Sequence, residues 1–303
     1  MAGNIQSLKQ EIKELKTAGL RIDRYISEEL KLFSRSQVRL RVVQVILNGK
    51  QVKLAKKLKN GDLLEIFYND PPAVELEPEA MELDILFENQ HCLVINKPQG
   101  LVVHPGCGHS SGTLVNGLLY YVKDLKRDFA EEPIRPGIVH RLDRDTSGVL
   151  VAAKSREAQE FLSRQFRERK VKKQYLAIVK GTLPAPSGRI DTRITRDPLN
   201  RKRYTCSMSR GKRAVTKYRV LKNFGSHSLV SLRPLTGRTH QLRVHMLFLE
   251  CPILGDSLYH PGCSSDRGLM LHAYRLLITP PGEKEPGEFR APLPRRFKEL
   301  LAG

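Results

Sequence analysis

Two aspartates lie between apolar segments in GIVHRLDRDTSGVLV (137–151), a pattern that could hold a reactive carboxylate at the mouth of a cleft. Asp143 and Asp145 are two residues apart, so a strand would place both on one face. Such a carboxylate pair is typical of glycoside hydrolysis. Thr-Ser-Gly follows Asp145, however, and aspartate favours a turn there. We therefore interpret Asp145 as a turn residue and Asp143 as the candidate reactive group, with a solvated turn as the alternative for both.

The charge of the chain predicts a polyanionic partner. Its 303 residues include 52 Lys and Arg against 32 Asp and Glu, a formal net charge of +20. Clustered cations bind a phosphate backbone by releasing its counterions, whereas an anionic membrane surface is the alternative partner. No apolar run approaches the roughly 20 residues of a membrane span, and residues 1–16 lack the apolar core of a signal peptide. We therefore expect a cytoplasmic protein.

The cysteines favour a reducing compartment. They are five in number, scattered, and form no CxxC pair, which argues against a disulfide framework. His104, Cys107 and His109 in HPGCGH resemble metal ligands. No second ligand cluster at finger-like spacing accompanies them, so we predict a loop and no metal site.

The N-terminal quarter predicts three segments. Residues 4–17 predict a short charged helix, because Leu8, Ile12 and Leu15 follow a helical spacing. Residues 18–70 predict a small α/β module of two helices and strands, with Asn48-Gly49 as a turn between strands. Residues 71–82, which are acidic and rich in Pro, predict a linker.

This second segment resembles a known RNA-binding module. RIDRYI, SRS, LNGKQV and NGDLLEI, over about residues 20–68, are similar to the S-four-type module of a ribosomal protein and many RNA-modifying enzymes. The resemblance implies that its cations, among them Arg35, Arg39 and Lys50, contact RNA. The alternative is a solvated charged face.

Residues 83–303 predict an α+β domain. Short apolar runs alternate with helical stretches, and the helix AQEFLSRQFRER lies between two of them. Strands joined by turns, with helices inserted, favour a mixed, mostly antiparallel β-sheet with flanking helices. The runs expected to form strands are LDILFE, CLVINK, IVHRLD, GVLVAAK, YLAIVKG, YRVLKN and SLVSLRPL.

Four blocks in this domain occur in the order of a known family. NKPQGLVVHPG (96–106), HRLDRDTSGVLV (140–151), KQYLAIVKG (173–181) and LTGRTHQLRVHM (235–246) resemble the signature segments of the RluA/RluD-type RNA pseudouridine synthases. The resemblance implies that residues 83–303 are a catalytic domain that isomerises uridine in structured RNA by flipping the base. Because that reaction involves no redox change and no net hydrolysis, it implies no cofactor.

The resemblance also implies roles for individual residues. Asp143 matches the catalytic aspartate, while its attack on C1′, its addition to C6 and its abstraction of a ribose proton all stay open. Tyr175 matches an active-site tyrosine that stacks on the uracil, with a core tyrosine as the alternative. Arg243 matches an arginine that pairs with the aspartate and favours its ionised form.

Further cations are expected to hold the RNA. Arg238 and His240 would grip phosphate or hold a loop, and Arg141 would fill the gap left by the flipped base. His140 is equally compatible with a structural role. Two basic stretches, 164–173 and 189–213, would line the RNA, and the second falls where the family inserts a hairpin. That hairpin contains Arg196, Arg201 and Arg203.

Two other functions are compatible with the sequence. An RNA-binding assembly protein would keep the fold without the chemistry, and a nucleoside or glycoside hydrolase would release free uracil. The expected substrate is large-subunit (23S) ribosomal RNA, with transfer RNA as the alternative. We expect a monomer without an obligatory protein partner.

Overall fold

The computed structural model describes residues 5–15, 19–33, 35–69, 76–106, 109–129, 135–261 and 267–302. The chain divides into two compact units, Met1–Glu75 and Leu76–Gly303. Within the described ranges, none of the helices has the length and apolar character needed to cross a membrane.

The smaller unit is built on a four-stranded antiparallel sheet in the order β1-β4-β2-β3. Two short helices cover it, and a buried apolar core that includes Ile22, Ile26 and Leu64 lies between the layers. The strands are β1 (Ile5–Glu11), β2 (Val42–Leu47), β3 (Lys50–Gln51) and β4 (Leu63–Asn69). The helices are α1 (Ile22–Arg24), which continues as a π-helical turn over Tyr25–Glu29, and α2 (Arg35–Arg41).

The charged helix predicted over residues 4–17 is wrong. Ile5–Glu11 forms β1, which pairs with β4 so that Leu8 lies opposite Ile66. The interval of four between Leu8 and Ile12 fits a helix, but four is also a multiple of the two-residue period of a strand. Pairing with β4 supplies the backbone hydrogen bonds and therefore decides the conformation.

The larger unit is an α+β domain on a ten-stranded mixed sheet, as the sequence predicts. The order is β10-β9-β11-β12-β8-β13-β7-β6-β5, with β14 paired to β13, and only the β13–β7 pair is parallel among the described strands. The strands are β5 (Ile85–Glu88), β6 (Cys92–Lys97), β7 (Ser147–Ala153), β8 (Lys172–Lys180), β9 (Ser187–Arg196), β10 (Tyr204–Ser207), β11 (Lys212–Asn223), β12 (His227–Pro234), β13 (Leu271–Ile278) and β14 (Gly287–Arg290).

Helices cover both faces of this sheet. Alternate residues of β7 belong to different cores: Leu150 packs towards α3, whereas Val149 and Val151 pack towards α5. Burial on both faces explains why β7 carries no polar side chain from Gly148 to Ala153. The helices are α3 (Leu114–Tyr121), α4 (Leu125–Asp128), α5 (Arg156–Arg167), α6 (Gln241–Phe248) and α7 (Arg295–Ala302).

Two expectations for this unit need correction. The linker predicted over 71–82 does not extend to 82: Leu76 is buried, and the Asn116 side chain donates to the Glu77 carbonyl at 2.8 Å. Residues 71–75 lie outside the described part of the chain. The run IVHRLD forms one isolated β-bridge, between Ile138 and Ala152, and is otherwise a loop. The imidazole of His140 accepts the Val151 N–H at 3.1 Å, a hydrogen bond that a strand backbone would otherwise make.

Candidate active site

Asp143 is positioned by a tight turn directly before the buried strand β7. The Thr146 N–H donates to the Asp143 carbonyl at 3.1 Å, and β7 begins at Ser147. Gly148 has a φ of +110°, and a Cβ there would lie 2.2 Å from the Ala273 carbonyl oxygen of β13. Only glycine permits this close approach, so the turn is fixed to a rigid part of the sheet.

A buried lysine donates hydrogen bonds to the same turn. Lys97, at the end of β6, is fully buried, and its ammonium donates to the carbonyls of Pro98, Leu101 and Arg144 at 2.8–2.9 Å. Burial lowers the pKa of Lys97 to about 7, although the charges of Asp145 and Asp143 act in the opposite direction. Lys97 therefore connects the first sequence block to the loop that carries Asp143.

Arg243 and Asp143, 100 residues apart in the chain, meet at this turn. Nη1 of Arg243 lies 3.5 Å from Oδ2 of Asp143. Two further guanidinium nitrogens, Nε and Nη2, donate to the two oxygens of Asp256 at 2.7 and 2.8 Å. Burial alone would lower the pKa of Arg243, but these hydrogen bonds and the two carboxylates raise it. The guanidinium is thus clamped by Asp256 and presents its remaining edge to Asp143.

His240 contributes a second donor facing Asp143. It precedes α6 with a φ of +55°, and its Nδ1 lies 2.9 Å from the Tyr259 hydroxyl. That hydroxyl accepts the Tyr204 N–H at 2.8 Å, so its own proton is free to be donated to Nδ1. Burial lowers the pKa of His240. The neutral ring then carries its proton on Nε2, which lies 3.9 Å from Oδ2 of Asp143.

These groups line a concavity of about 470 Å³, which we call the cleft. It is formed by residues 139–143 and 236–243 together with Phe166, Lys173 and Tyr175. Burial, followed by the negative charge of Asp143, raises the pKa of Tyr175, so this phenol stays protonated at neutral pH. The cleft therefore combines an aromatic ring with a carboxylate whose side chain is 24% exposed.

A second concavity of about 520 Å³, the side pocket, adjoins the cleft. It is lined by residues 102–106 and 141–145 and includes His109 and Lys202. Asp143 and Arg141 line both concavities, so the carboxylate lies on the wall between them.

His140 has a structural role here. Its Nε2 accepts the Val151 N–H, and its ring stacks on Phe166 at a centroid distance of 4.6 Å. Burial lowers the pKa of His140 to about 3, which keeps it neutral. Of the two readings that the sequence left open, the geometry favours the structural one.

The expected RNA-binding residues fall into three groups. Arg141 and Arg238 line the cleft with His240. The hairpin of β9 and β10 carries a second group, in which Arg196 donates to the Arg201 carbonyl. Arg203, which also belongs to the hairpin group, lies over the Tyr259 ring at 5.3 Å. A third group lies on the smaller unit, where Arg39 and Lys50 are exposed and the side chain of Arg35 is outside the described part of the chain.

No group of three potential metal ligands occurs among the described residues, and Cys107 of the HPGCGH segment lies outside them. In that segment Gly106 and His109 form a mutual pair of backbone hydrogen bonds at 3.0 Å. Burial lowers the pKa of His104 to about 4.

Three residues of the site were not identified from the sequence. Lys97 stands in a recognised block, NKPQG, so its position there was an available signal. Asp256 and Tyr259, in LGDSLYH, belong to no recognised block. Their importance depends on contacts with α6 that only the folded chain reveals.

The known proteins that this chain resembles are named as RNA pseudouridine synthases. Residues 91–248 match the family described as RNA pseudouridylate synthase. A ribosomal large subunit pseudouridine synthase D of Borreliella burgdorferi is 45% identical over 95% of this chain and 90% of its own length. An uncharacterized RNA pseudouridine synthase of Bacillus subtilis, YlyB, is 42% identical over 93% of both chains.

A solved structure, human RNA pseudouridylate synthase domain containing 1, superposes with a TM-score of 0.58 at 30% identity. It covers 74% of this chain and 86% of the human chain. The sequence matches extend through the loop of Asp143, the strand of Tyr175 and the helix of Arg243. This chain belongs to the RNA pseudouridine synthase family.

Proposed function

We propose that this protein isomerises a uridine of large-subunit ribosomal RNA to pseudouridine, with Asp143 as the reactive carboxylate. The observation that carries the proposal is the arrangement around Asp143, a partly exposed carboxylate that faces Arg243 and shares the cleft with Tyr175. The choice of ribosomal RNA rests on relatives named ribosomal large subunit pseudouridine synthase D in Borreliella, Neisseria and Pasteurella.

In this reaction the N1–C1′ bond of the uridine breaks, the uracil turns, and a C5–C1′ bond forms with loss of the C5 proton. The three candidate first steps are attack on C1′, addition to C6 and removal of a ribose proton. All three require an ionised carboxylate. The Arg243 guanidinium lies 3.5 Å from Oδ2 of Asp143 and Nε2 of His240 lies 3.9 Å from it, so a cation and a ring nitrogen both face the carboxylate.

Tyr175 would stack on the flipped uracil. An unpaired or loop uridine suits this step, because flipping it costs less than flipping a paired base. The C5 proton must pass to an acceptor, and N1 gains a proton. The Tyr175 hydroxyl can relay this transfer, because its oxygen can accept the C5 proton as it gives up its own. Arg141, on the wall between the cleft and the side pocket, would fill the gap left in the RNA.

The two hydrogen bonds to Asp256 hold the guanidinium in one orientation before substrate binds. A preorganised contact of this kind stabilises the transition state more than a flexible contact does, because no reorganisation is required during the reaction. No step of the isomerisation calls for a metal ion or an organic cofactor, since it involves neither a redox change nor net hydrolysis.

The smaller unit would dock the RNA as an S-four-type module. Its support is a set of exposed cations around β3 and the following turn: Lys50, Lys53, Lys56, Lys57 and Lys59. Exposed cations of this kind bind the phosphate backbone without reading sequence.

The proposal is tested by mapping pseudouridine in large-subunit RNA from cells with and without the gene, using a pseudouridine-specific chemistry. We expect at least one pseudouridine to disappear and to return when the purified protein is added to a transcript. The same reaction should release no free uracil. Release of uracil would instead indicate a hydrolase.

A further inference from the structure

A third concavity, which we call the outer groove, extends from the cleft and is lined in part by the basic stretch 164–173. It has a volume of about 540 Å³ and lies between two segments, the α5–β8 connection and residues 233–238. Half of its twelve lining residues are cationic, and the described lining contains no Asp or Glu. The six cations are Arg167, Arg169, Lys172, Lys173, Arg233 and Arg238.

The outer groove is continuous with the cleft. Seven residues line both, among them Phe166, Lys173 and Arg238. The side pocket shares Asp143 and Arg141 with the cleft but has no lining residue in common with the outer groove. The cleft therefore lies between the other two concavities. This is the position expected of the target nucleotide on a path that binds an RNA strand.

Most cations of the outer groove have no carboxylate partner among the described residues, whereas several other cations of this unit are paired. Arg189 and Arg213 share Asp191, and Arg275 pairs with Glu288. In the groove Arg167 pairs with Glu160. The other five have no carboxylate partner within the ranges that the structure describes: Arg169, Lys172, Lys173, Arg233 and Arg238.

Two of these cations are held in place. The Arg238 guanidinium donates through Nε to the Arg213 carbonyl at 3.0 Å, which leaves its other nitrogens free to bind an anion. The Lys173 ammonium lies 5.9 Å from the centroid of the Phe166 ring. Burial lowers the pKa of Lys173, because the ammonium has lost water without gaining a carboxylate. A phosphate oxygen would supply the missing negative partner.

We propose that the outer groove is a phosphate-binding subsite that holds the RNA strand flanking the target nucleotide. This inference rests on the proposed function for the identity of the ligand as RNA. A concave track of uncompensated cations that leads directly out of the cleft fits the sugar-phosphate backbone of a single strand.

The test uses three groove cations that do not line the cleft. Arg169→Gln, Lys172→Gln and Arg233→Gln are combined in one full-length variant, the groove triple. The matched control combines Lys180→Gln, Lys284→Gln and Lys298→Gln, which are exposed and line none of the three concavities. Both variants lose three cations, so an effect of overall charge is the same in each.

Binding is measured with a fluorescent oligouridylate of roughly ten nucleotides, within the usual span of single-strand sites. Each phosphate contact contributes about 0.7 to the slope of log K against log salt, so three contacts contribute about 2. Between about 50 and 200 mM salt the groove triple should therefore lose about 20-fold less affinity than the wild type. The control triple should keep nearly the wild-type slope.

Equal slopes for the two triples would overturn the proposal, because only overall charge would then matter. A second readout is the single-turnover rate on ribosomal RNA. The groove triple should need more enzyme for half-saturation but reach the wild-type rate at saturation, and a fall in the saturated rate alone would also count against a docking role. Absence of pseudouridine with the wild type would refute the proposed function, whereas the oligouridylate slopes would still decide the groove.

Discussion

Replacement of Asp256 by asparagine should destabilise the larger unit and disable the site, although Asp256 belongs to no recognised sequence block. Its carboxylate is 1% exposed and accepts four hydrogen bonds. Two come from Arg243 at 2.7 and 2.8 Å, and two come from the backbone N–H groups of Leu258 and Tyr259 at 3.1 and 3.0 Å. An asparagine can retain the backbone contacts through its oxygen, but its amide nitrogen would face an Arg243 donor.

The size of the effect follows from the burial of the pair. Breaking a buried ion pair costs roughly 3–5 kcal/mol. Because Asp143 remains as a second carboxylate 3.5 Å from the guanidinium, we expect the lower end, about 3 kcal/mol. For a unit of this size about 2–4 °C of Tm corresponds to each kcal/mol, so the Tm should fall by about 6–12 °C. Turnover should fall as well, since Arg243 would no longer be held against Asp143.

Thermal unfolding of the full-length protein at neutral pH, followed by circular dichroism, measures this change. Asp191→Asn is the matched control, because Asp191 also accepts from guanidinium groups, those of Arg189 and Arg213, but on the exposed face of β9. Exposed pairs contribute little, so its Tm should hardly move. Equal shifts for the two variants, or an unchanged Tm for Asp256→Asn, would refute the reasoning from burial.

Three further predictions follow from the structure. Tyr175→Phe should keep the stacking surface and bind RNA normally but lower single-turnover rates by about 10²-fold or more, the usual contribution of a positioned acid–base group. An unchanged rate would remove the hydroxyl from the mechanism. Residues 1–70 carry 14 Lys and Arg against 8 Asp and Glu. Their deletion should weaken binding to structured RNA and flatten its salt dependence, while activity persists at high enzyme concentration. An unchanged salt slope would show that this unit does not dock RNA. Burial lowers the pKa of His140 to about 3 from 6.5. The unfolded chain therefore takes up the proton first, and stability should fall as pH drops from 6.5 towards 3. The Tm of His140→Gln should depend less on pH across this window, and an equal dependence would contradict the assignment of His140 as neutral and buried.

Three of the four blocks recognised in the sequence, those over 140–151, 173–181 and 235–246, supply residues that line the cleft, whereas the block over 96–106 lines the side pocket. The sequence also placed the α+β class correctly, since turns and short apolar runs alternate along residues 83–303. The clamp on Arg243 could not be predicted. LGDSLYH reads as an ordinary loop, and only packing against α6 brings Asp256 to the guanidinium and Tyr259 to His240.

The local spacing of apolar residues was misleading where it fits both the helical and the strand period. Leu8 and Ile12 fit both a helix and a strand, and the partner strand β4, more than 50 residues away, decides between them. In IVHRLD the apolar residues suggested a strand, but the His140 side chain takes over a hydrogen bond that a strand backbone would make. In both segments the deciding interaction is tertiary and has no local signal.

The most direct test of the account compares Asp143→Asn with Asp145→Asn on a large-subunit RNA transcript, with RNA affinity and pseudouridine formation both measured. Asp143→Asn should fold, bind RNA with nearly the wild-type affinity and form no pseudouridine, because an amide cannot act as the reactive carboxylate. Asp145→Asn, whose carboxylate contacts the exposed Arg144, should retain much more activity. Substantial pseudouridine formation by Asp143→Asn would contradict the assignment of the reactive group.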